Sequence, residues 1–508
     1  MAHRTIHLDG QSLTLADVVA VARRGVHASL APSARKRMER SRAWVEKAVH
    51  EGAVVYGITT GFGAFQEVSI GPGNLRELQR NLILSHCAGV GEPFPAEVVR
   101  AMMLLRANAL AKGFSGIRVS TVDRLLAMLN KGVHPVVPSQ GSVGASGDLA
   151  PLSHMAAVLI GEGEAEYRGR RMPGAMAMDA AGLRPVVLEA KEGLALNNGT
   201  QAMTALAVLA LHDAEILAES ADTTGAMTLE AVKGKSAPFD IRVGRVRPHP
   251  GLAQSAARVR AMIKGSTLAD AADDDTRTTV QDSYSLRCIP QVHGAVRDAL
   301  RYVRGVVETE INSATDNPLV FPERDRALSA GNFHGQPVAL AMDVLALAVA
   351  ELGSIAERRV AKLMDRHHNA GLPPFLADNG GVQSGLMIAQ YTAAALVSEN
   401  KVLIHPASGD SIPTSANQED HVSMGTIAAR QARTVLENVR RVIAVELLCA
   451  SRALDLRGAR AGQGTEAARR MVHRTVGART ADRPLSIEIE ALAEQIRSGA
   501  VAAVVRTP

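Results

Sequence analysis

Gly141-Ser142-Val143-Gly144-Ala145-Ser146-Gly147-Asp148-Leu149-Ala150-Pro151-Leu152 is the stretch around which the chain is organised. It contains glycine at 141, 144 and 147 and no lysine, arginine or aromatic residue. Such a run reads first as a small-residue turn. Ala145-Ser146-Gly147 offers a more specific possibility. In a tight turn the Gly147 amide nitrogen can reach the Ala145 carbonyl carbon, because glycine permits backbone angles and close approaches that a Cβ forbids. Loss of water from that ring, and of the Ser146 hydroxyl as a second water, leaves an exocyclic methylene conjugated to an imidazolone. That product is an electrophile, which ordinary side chains do not supply. On spacing alone the tripeptide is also compatible with a plain helix start, opened by Asp148.

The longer run decides between them. Gly141 to His154, ending Leu149-Ala150-Pro151-Leu152-Ser153-His154, closely resembles the signature of the aromatic amino acid ammonia-lyases. The resemblance extends over nearly the whole chain and lies nearest the histidine-acting branch. It implies a 4-methylidene-imidazol-5-one group formed autocatalytically from Ala145-Ser146-Gly147, with Asp148 beside it during maturation. It implies no pyridoxal phosphate and no metal requirement. It also implies a homotetramer with active sites shared between subunits.

Composition is consistent with this. The 508 residues are 46% hydrophobic and 21% charged but only 3% aromatic, with the apolar content supplied mainly by Ala, Leu, Val and Met. That mixture favours helix-on-helix packing over sheets. The expected fold is all-α: a long central multi-helix bundle with a mixed N-terminal lobe carrying the electrophile loop. A net charge of +5, from 56 basic and 51 acidic residues, is small for this surface. Arg35-Lys36-Arg37 reads as a solvated helix face, and no aromatic residues interleave with basic ones, so neither nucleic acid nor membrane is an expected partner. Cys87, Cys288 and Cys449 are widely spaced and read as buried thiols of a reducing compartment. Residues 1–30 lack the pattern of a signal peptide. The apolar run Val338 to Ala350 is too short to span a bilayer and is interrupted by Asp343. A cytoplasmic location follows as an expectation.

Helical periodicity appears at 13–30, 35–50, 74–88, 96–113, 118–132 and 149–159, with a mixed segment over 163–190. Longer helical patterns follow at 200–221, 291–314, 336–366, 385–401 and 420–455. Val435, Leu436, Val439, Val442, Ile443 and Leu447 form one face of the last. The nearly all-apolar 338–350 reads as a helix buried at a bundle centre. Asp270 to Asp275 reads as an exposed loop. The expected domains are 1–199, an N-terminal lobe; 200–457, the central bundle; and 458–508, a C-terminal helical lobe.

Eliminating ammonia from an amino acid requires activation of a poor leaving group and a base near Cβ. Tyr56, in the glycine-rich loop Tyr56-Gly57-Ile58-Thr59-Thr60-Gly61-Phe62-Gly63, is the candidate base. A free phenol has a pKa of about 10, so this reading needs that value lowered, or the phenol transiently ionised. Arg287, in Gln281-Asp282-Ser283-Tyr284-Ser285-Leu286-Arg287-Cys288, can grip a carboxylate with two parallel hydrogen bonds. The resemblance assigns β-proton abstraction to Tyr56 and carboxylate binding to Arg287. It places Tyr284 and Gln281 near the electrophile, Asn198 at its carbonyl oxygen, and Phe333 beside its ring.

Specificity should lie at Ser85-His86, the histidine-acting pattern, and at Glu419 in Asn417-Gln418-Glu419-Asp420-His421. A carboxylate there accepts an imidazole N–H, whereas a phenyl ring leaves it unpaired. The expected substrate is L-histidine and the product trans-urocanate. Thr59 departs from this pattern, since the histidine branch often has Asn there, and Asn197 stands where an apolar residue is common. The alternatives are a phenylalanine or tyrosine ammonia-lyase, a 2,3-aminomutase, or a non-catalytic helical oligomer. A hydrolase nucleophile elbow requires Gly where Asp148 stands. A phosphate loop around Lys233-Gly234-Lys235-Ser236 requires Gly where Leu229 stands. The Gly-Ser-Ser-x-Met-Pro segment of fumarase-type lyases is absent.

Overall fold

The computed structural model describes residues 5–271, 280–478 and 481–505; of the acidic stretch, residues 272–275 lie outside these. The structure is predominantly helical. It divides into two compact units, Met1–Leu209 with Arg304–Asp343 and Pro406–Arg430, and Ala210–Val303 with Val344–His405 and Gln431–Pro508.

In the first unit, helix Leu15–Arg24 opens with a capping box between Thr14 and Asp17 and stops at Gly25, whose φ is +66°. The periodicity of 13–30 therefore overruns. His27–Leu30 is a strand, paired in parallel with Thr5–Leu8. Helix Pro32–His50 carries Trp44. Its Val45 is buried with Ile58, Leu75, Ala190 and Val320, a cluster that anchors the tyrosine loop to the start of helix Leu75–His86. Helix Ala96–Ala111 is buried along almost its whole length, Arg106 and Asn108 included.

Helix Leu149–Leu159 begins directly after Asp148 and packs against both Leu75–His86 and the short helix Glu192–Asn197. This packing brings His86, the 141–148 loop and Asn198 into one neighbourhood. Ala145 is buried with Val422 and Met424, which ties the loop to the segment carrying Glu419. The small sheets of this unit include the three-stranded antiparallel Glu164–Tyr167, Arg170–Pro173 and His134–Pro135, within and beside the expected mixed segment.

The second unit is built from long helices. Helix Gly425–Arg457, which enters it at Gln431, buries Val435, Leu436, Val439, Val442, Ile443 and Leu447 as one face. At its centre Arg359 pairs with Glu446, both fully buried, and Thr224 and Thr228 donate to the same carboxylate at 2.8 Å. His293 and Arg297 contact Asp222 at 2.8 and 2.6 Å. Burial pushes the Asp222 carboxyl up, but the Arg297 charge and the hydrogen bond to His293 outweigh it and hold it at about 2.

Helix Gln336–Met364 is not buried all round. Leu340 and Leu347, seven residues apart on one stripe, are exposed. The apolar run alone could not show this, because an unpaired apolar stripe and a buried one have the same composition. Helices Gln201–Ala231 and Gln336–Met364 have the length and apolarity of membrane spans, yet most of each apolar window is buried within the protein. The thiol of Cys449 is buried, whereas Cys87 and Cys288 are only half-buried.

Candidate active site

The 141–148 loop is held from several sides. Gly141, Gly144 and Gly147 all have positive φ. A Cβ on Gly147 would lie 2.2 Å from the Gly199 carbonyl oxygen, so only glycine fits at this crossing. The Asp148 amide donates to that same oxygen at 2.7 Å. The Asp148 carboxylate is fully buried. It accepts from the Ser142 hydroxyl at 3.0 Å, from the Met203 amide at 2.8 Å and from the Thr426 hydroxyl. Burial nevertheless raises the Asp148 pKa, more than its donors lower it. Asn198 Nδ2 donates to the Ser146 carbonyl oxygen at 3.0 Å, while its buried Oδ1 has no hydrogen-bond partner among the described residues. Tight glycine geometry, a pinned carboxylate and a donor on the central carbonyl suit the tripeptide to cyclisation.

The loop forms one wall of a cavity of about 940 Å³, lined by residues of the first unit alone. Tyr56, His86, Ser146, Asn198, Phe333 and Glu419 all line it. The Ser146 hydroxyl donates to Glu419 Oε1 at 2.7 Å, and the Thr414 hydroxyl donates to Oε2 at 2.8 Å. Thr414 and Glu419 close a narrow antiparallel bridge. Ser415, Ala416 and Asn417, between them, all have positive φ. Left-handed non-glycine residues cost of order 1–3 kcal/mol each and cluster at functional sites. Here the turn carries Glu419 into the cavity.

His86 ends helix Leu75–His86, with Nδ1 3.0 Å from the Ser85 hydroxyl. Burial lowers its pKa, partly offset by the Leu82 carbonyl and the Glu419 charge. A neutral ring, able to accept as well as donate, is therefore favoured. Tyr56 runs against the expectation for a base. Burial raises its phenol pKa, the Gly63 amide at 3.5 Å offsets part of that rise, and the Glu419 charge adds a smaller one. Among the described residues of this unit, no cation acts on it.

Gln281, Tyr284 and Arg287 belong to the second unit. Tyr284–Arg287 is a four-residue helical turn in which the Arg287 guanidinium lies over the Tyr284 ring, 4.6 Å from its centroid. Tyr284 and Gln281 are exposed. Arg359 donates to the Ser285 carbonyl at 3.3 Å, so the buried Arg359–Glu446 pair supports this turn.

Thr59 does not face the cavity. Its hydroxyl donates to the Ala53 carbonyl at 2.6 Å and accepts from the Val55 amide at 2.9 Å, closing its own loop. Asn197 is fully buried, with Nδ2 donating to Ser153 at 3.1 Å. Sequence reasoning missed Asn81, Leu82 and Leu194 on the cavity wall. The first two lie within one helical turn of Ser85-His86, a spacing that offered a signal; Leu194 had none.

The family pattern described as aromatic amino acid lyase matches residues 13–474. Histidine ammonia-lyase from Caldanaerobacter subterraneus subsp. tengcongensis is 55% identical over 504 residues, 99% of this chain and 98% of that protein. Among solved structures, histidine ammonia-lyase from Trypanosoma cruzi superposes with a TM-score of 0.91 at 43% identity, covering 99% of each chain. Tyrosine aminomutase from Streptomyces globisporus gives a TM-score of 0.93 at 39% identity, covering 99% of this chain and 98% of its own. The chain belongs to the aromatic amino acid lyases, and is a carbon–nitrogen lyase.

Proposed function

We propose that this chain is a histidine ammonia-lyase, converting L-histidine to trans-urocanate and ammonia as the first step of histidine degradation. The observation that carries the specificity is the pairing of His86 and Glu419 on the wall of the cavity that also holds Ser146. A carboxylate aimed at the tripeptide suits an imidazole N–H and leaves a phenyl ring without a partner. Thr59, the residue that pointed towards other branches, bonds within its own loop. The overall likeness to tyrosine aminomutase supports a second reading, in which ammonia returns to the neighbouring carbon. Product identity separates the two.

In this reading Ala145-Ser146-Gly147 cyclises autocatalytically to 4-methylidene-imidazol-5-one, which supplies the electrophile that activates the amino group. Asp148 and Asn198 hold the tripeptide for that step, and Phe333 packs beside it. Tyr56 takes the β-proton. Glu419 and His86 orient the imidazole. Gln281, Tyr284 and Arg287 are contributed by another subunit of a homotetramer, Arg287 binding the substrate carboxylate. This arrangement brings a cation to a cavity that otherwise raises the Tyr56 pKa. Exposed Leu347, Ile388, Tyr391 and Val402 are consistent with an oligomer contact. The functional division is 1–199 for the electrophile lobe, 200–457 for the bundle and 458–508 for the C-terminal lobe, and the enzyme is cytoplasmic. Steady-state kcat/KM for histidine and tyrosine, with product identification, tests the reading: histidine is favoured and urocanate accumulates. A β-amino acid product or a preference for tyrosine overturns it.

A further inference from the structure

Among the described residues, Arg106 and Arg359 are the largest fully buried side chains, and Arg106 sits within an otherwise almost entirely buried helix. Its Nη1 donates to the Asn198 carbonyl at 2.8 Å and to Gln201 Oε1 at 2.7 Å. Gln201 Nε2 in turn donates to the Thr315 hydroxyl at 2.8 Å. Nε and Nη2 have no hydrogen-bond partner among the described residues. A buried cation with unmet donors costs stability that an apolar residue of similar volume would not. Burial pulls its pKa down to about 10, against the pull of Asp316. Asp316 is itself paired with the buried Lys191 at 2.8 Å. Folding alone gives no reason for a guanidinium here.

Its contacts give one. A Cβ on Gly199 would sit 2.3 Å from Arg106 Nη1, so Gly199 is pressed between this cation and the loop in front of it. From the other side, Gly199 pairs with Gly147 and its carbonyl receives the Asp148 amide. The preceding Asn198 holds the Ser146 carbonyl through Nδ2. The segment Asn198-Gly199 is thus a rigid backing for the tripeptide, with Arg106 fixing it from behind.

We propose that Arg106 is a positioning residue for the cyclisation of Ala145-Ser146-Gly147. It touches none of the reacting atoms, and the inference rests on the cyclisation reading above. Cyclisation forms the bond between Gly147 N and the Ala145 carbonyl carbon. It expels that carbonyl oxygen as water, with the Gly147 and Ser146 amide protons. The Ser146 hydroxyl then leaves as a second water with the Ser146 α-proton, so no oxidant or reductant is needed. What the step requires is close approach of two backbone atoms, and a clamped Asn198-Gly199 segment limits the loop to such geometries.

The test is maturation rate, read as the fraction of full-length chain lighter by two waters in intact-mass spectra at intervals after cell-free synthesis. Wild type, Arg106→Met and Arg106→Lys are compared, with Leu104→Ala as a destabilising control on the same helix and Tm measured for each. Arg106→Met is expected to mature at least ten-fold more slowly than wild type, and more slowly than Leu104→Ala at equal or smaller loss of Tm. Arg106→Lys, which restores one donor group, is expected to fall between. If Arg106→Met is insoluble, Arg106→Lys decides: slower maturation supports the role and wild-type maturation removes it. Wild-type maturation in Arg106→Met, or slowing that merely tracks Tm as in the control, overturns the inference. A wild-type chain that never loses two waters overturns the underlying cyclisation reading instead.

Discussion

The Ser146 hydroxyl donates a 2.7 Å hydrogen bond to Glu419 Oε1, joining the centre of the tripeptide to a residue 273 positions later in the chain. The other oxygen of that carboxylate is already taken by Thr414. In the proposed reading, loss of the Ser146 hydroxyl on cyclisation would remove one of the donors on Glu419 and free an acceptor that faces the cavity, so that maturation and imidazole recognition would meet at one carboxylate.

Ser146→Ala cannot lose a hydroxyl. It is expected to fold with a Tm near wild type, because Ser146 is only half-buried and alanine removes a single oxygen. Its intact mass should show no loss of the second water, and it should be inactive. Circular dichroism and intact mass together check this; a wild-type chain at its unmodified mass contradicts the cyclisation.

Glu419→Gln replaces a charged acceptor with a neutral amide. Hydrogen bonds to charged groups are worth about 1.5–3 kcal/mol, or roughly ten- to a hundred-fold. Histidine kcat/KM should fall by at least that factor while maturation proceeds. Unchanged histidine kinetics would remove Glu419 from substrate recognition.

Tyr56→Phe keeps the ring and loses only a hydroxyl whose protein contact, to the Gly63 amide, is long at 3.5 Å. Stability should change little and maturation should be complete. A general base contributes typically about 10²–10⁴-fold, so kcat should fall by at least that range with KM little altered. Arg287→Lys should instead raise KM most, because an ammonium cannot reproduce a two-pronged grip. A fully matured Tyr56→Phe enzyme with near wild-type kcat would exclude Tyr56 as base, leaving Tyr284 as the next candidate.

His134 is expected to make stability depend on pH. Its Nε2 lies 3.1 Å from Arg100 Nη1, and burial together with that cation lowers its pKa to about 4. The unfolded value is about 6.5. A depressed folded pKa means that the stability is fully present above about 6.5 and is lost progressively as pH falls towards about 4. After allowance for partial exposure the loss should be of order 1–2 kcal/mol. His134→Gln, which can still accept from Arg100, should flatten that part of the Tm–pH curve. Parallel curves for the two proteins would contradict the assignment.

Much of this arrangement was legible in the residues. The 149–159 helix has the limits that its periodicity implied, and the tyrosine loop and the Ser85-His86 and Glu419 positions converge on one cavity. Local pattern failed where long-range partners decide. Residues 27–30 continue a helical periodicity, but the left-handed Gly25 ends the helix and Thr5–Leu8 recruits the remainder as a strand. In the sequence nothing separates Arg106 from Glu97 and Arg100, the other charged residues of its mostly apolar helix, and only the fold places it behind Asn198. The phenol of Tyr56 shows the same limit: burial, the largest influence on its pKa, and the Glu419 charge are not local in sequence, although the Gly63 amide is.

The most direct test of the central claim is release of ammonia and urocanate by the purified, fully matured protein given histidine, phenylalanine and tyrosine separately. The account predicts stoichiometric urocanate and ammonia from histidine, with little product from the other two. Turnover of tyrosine or phenylalanine in preference to histidine, or conversion of substrate without free ammonia, would contradict it.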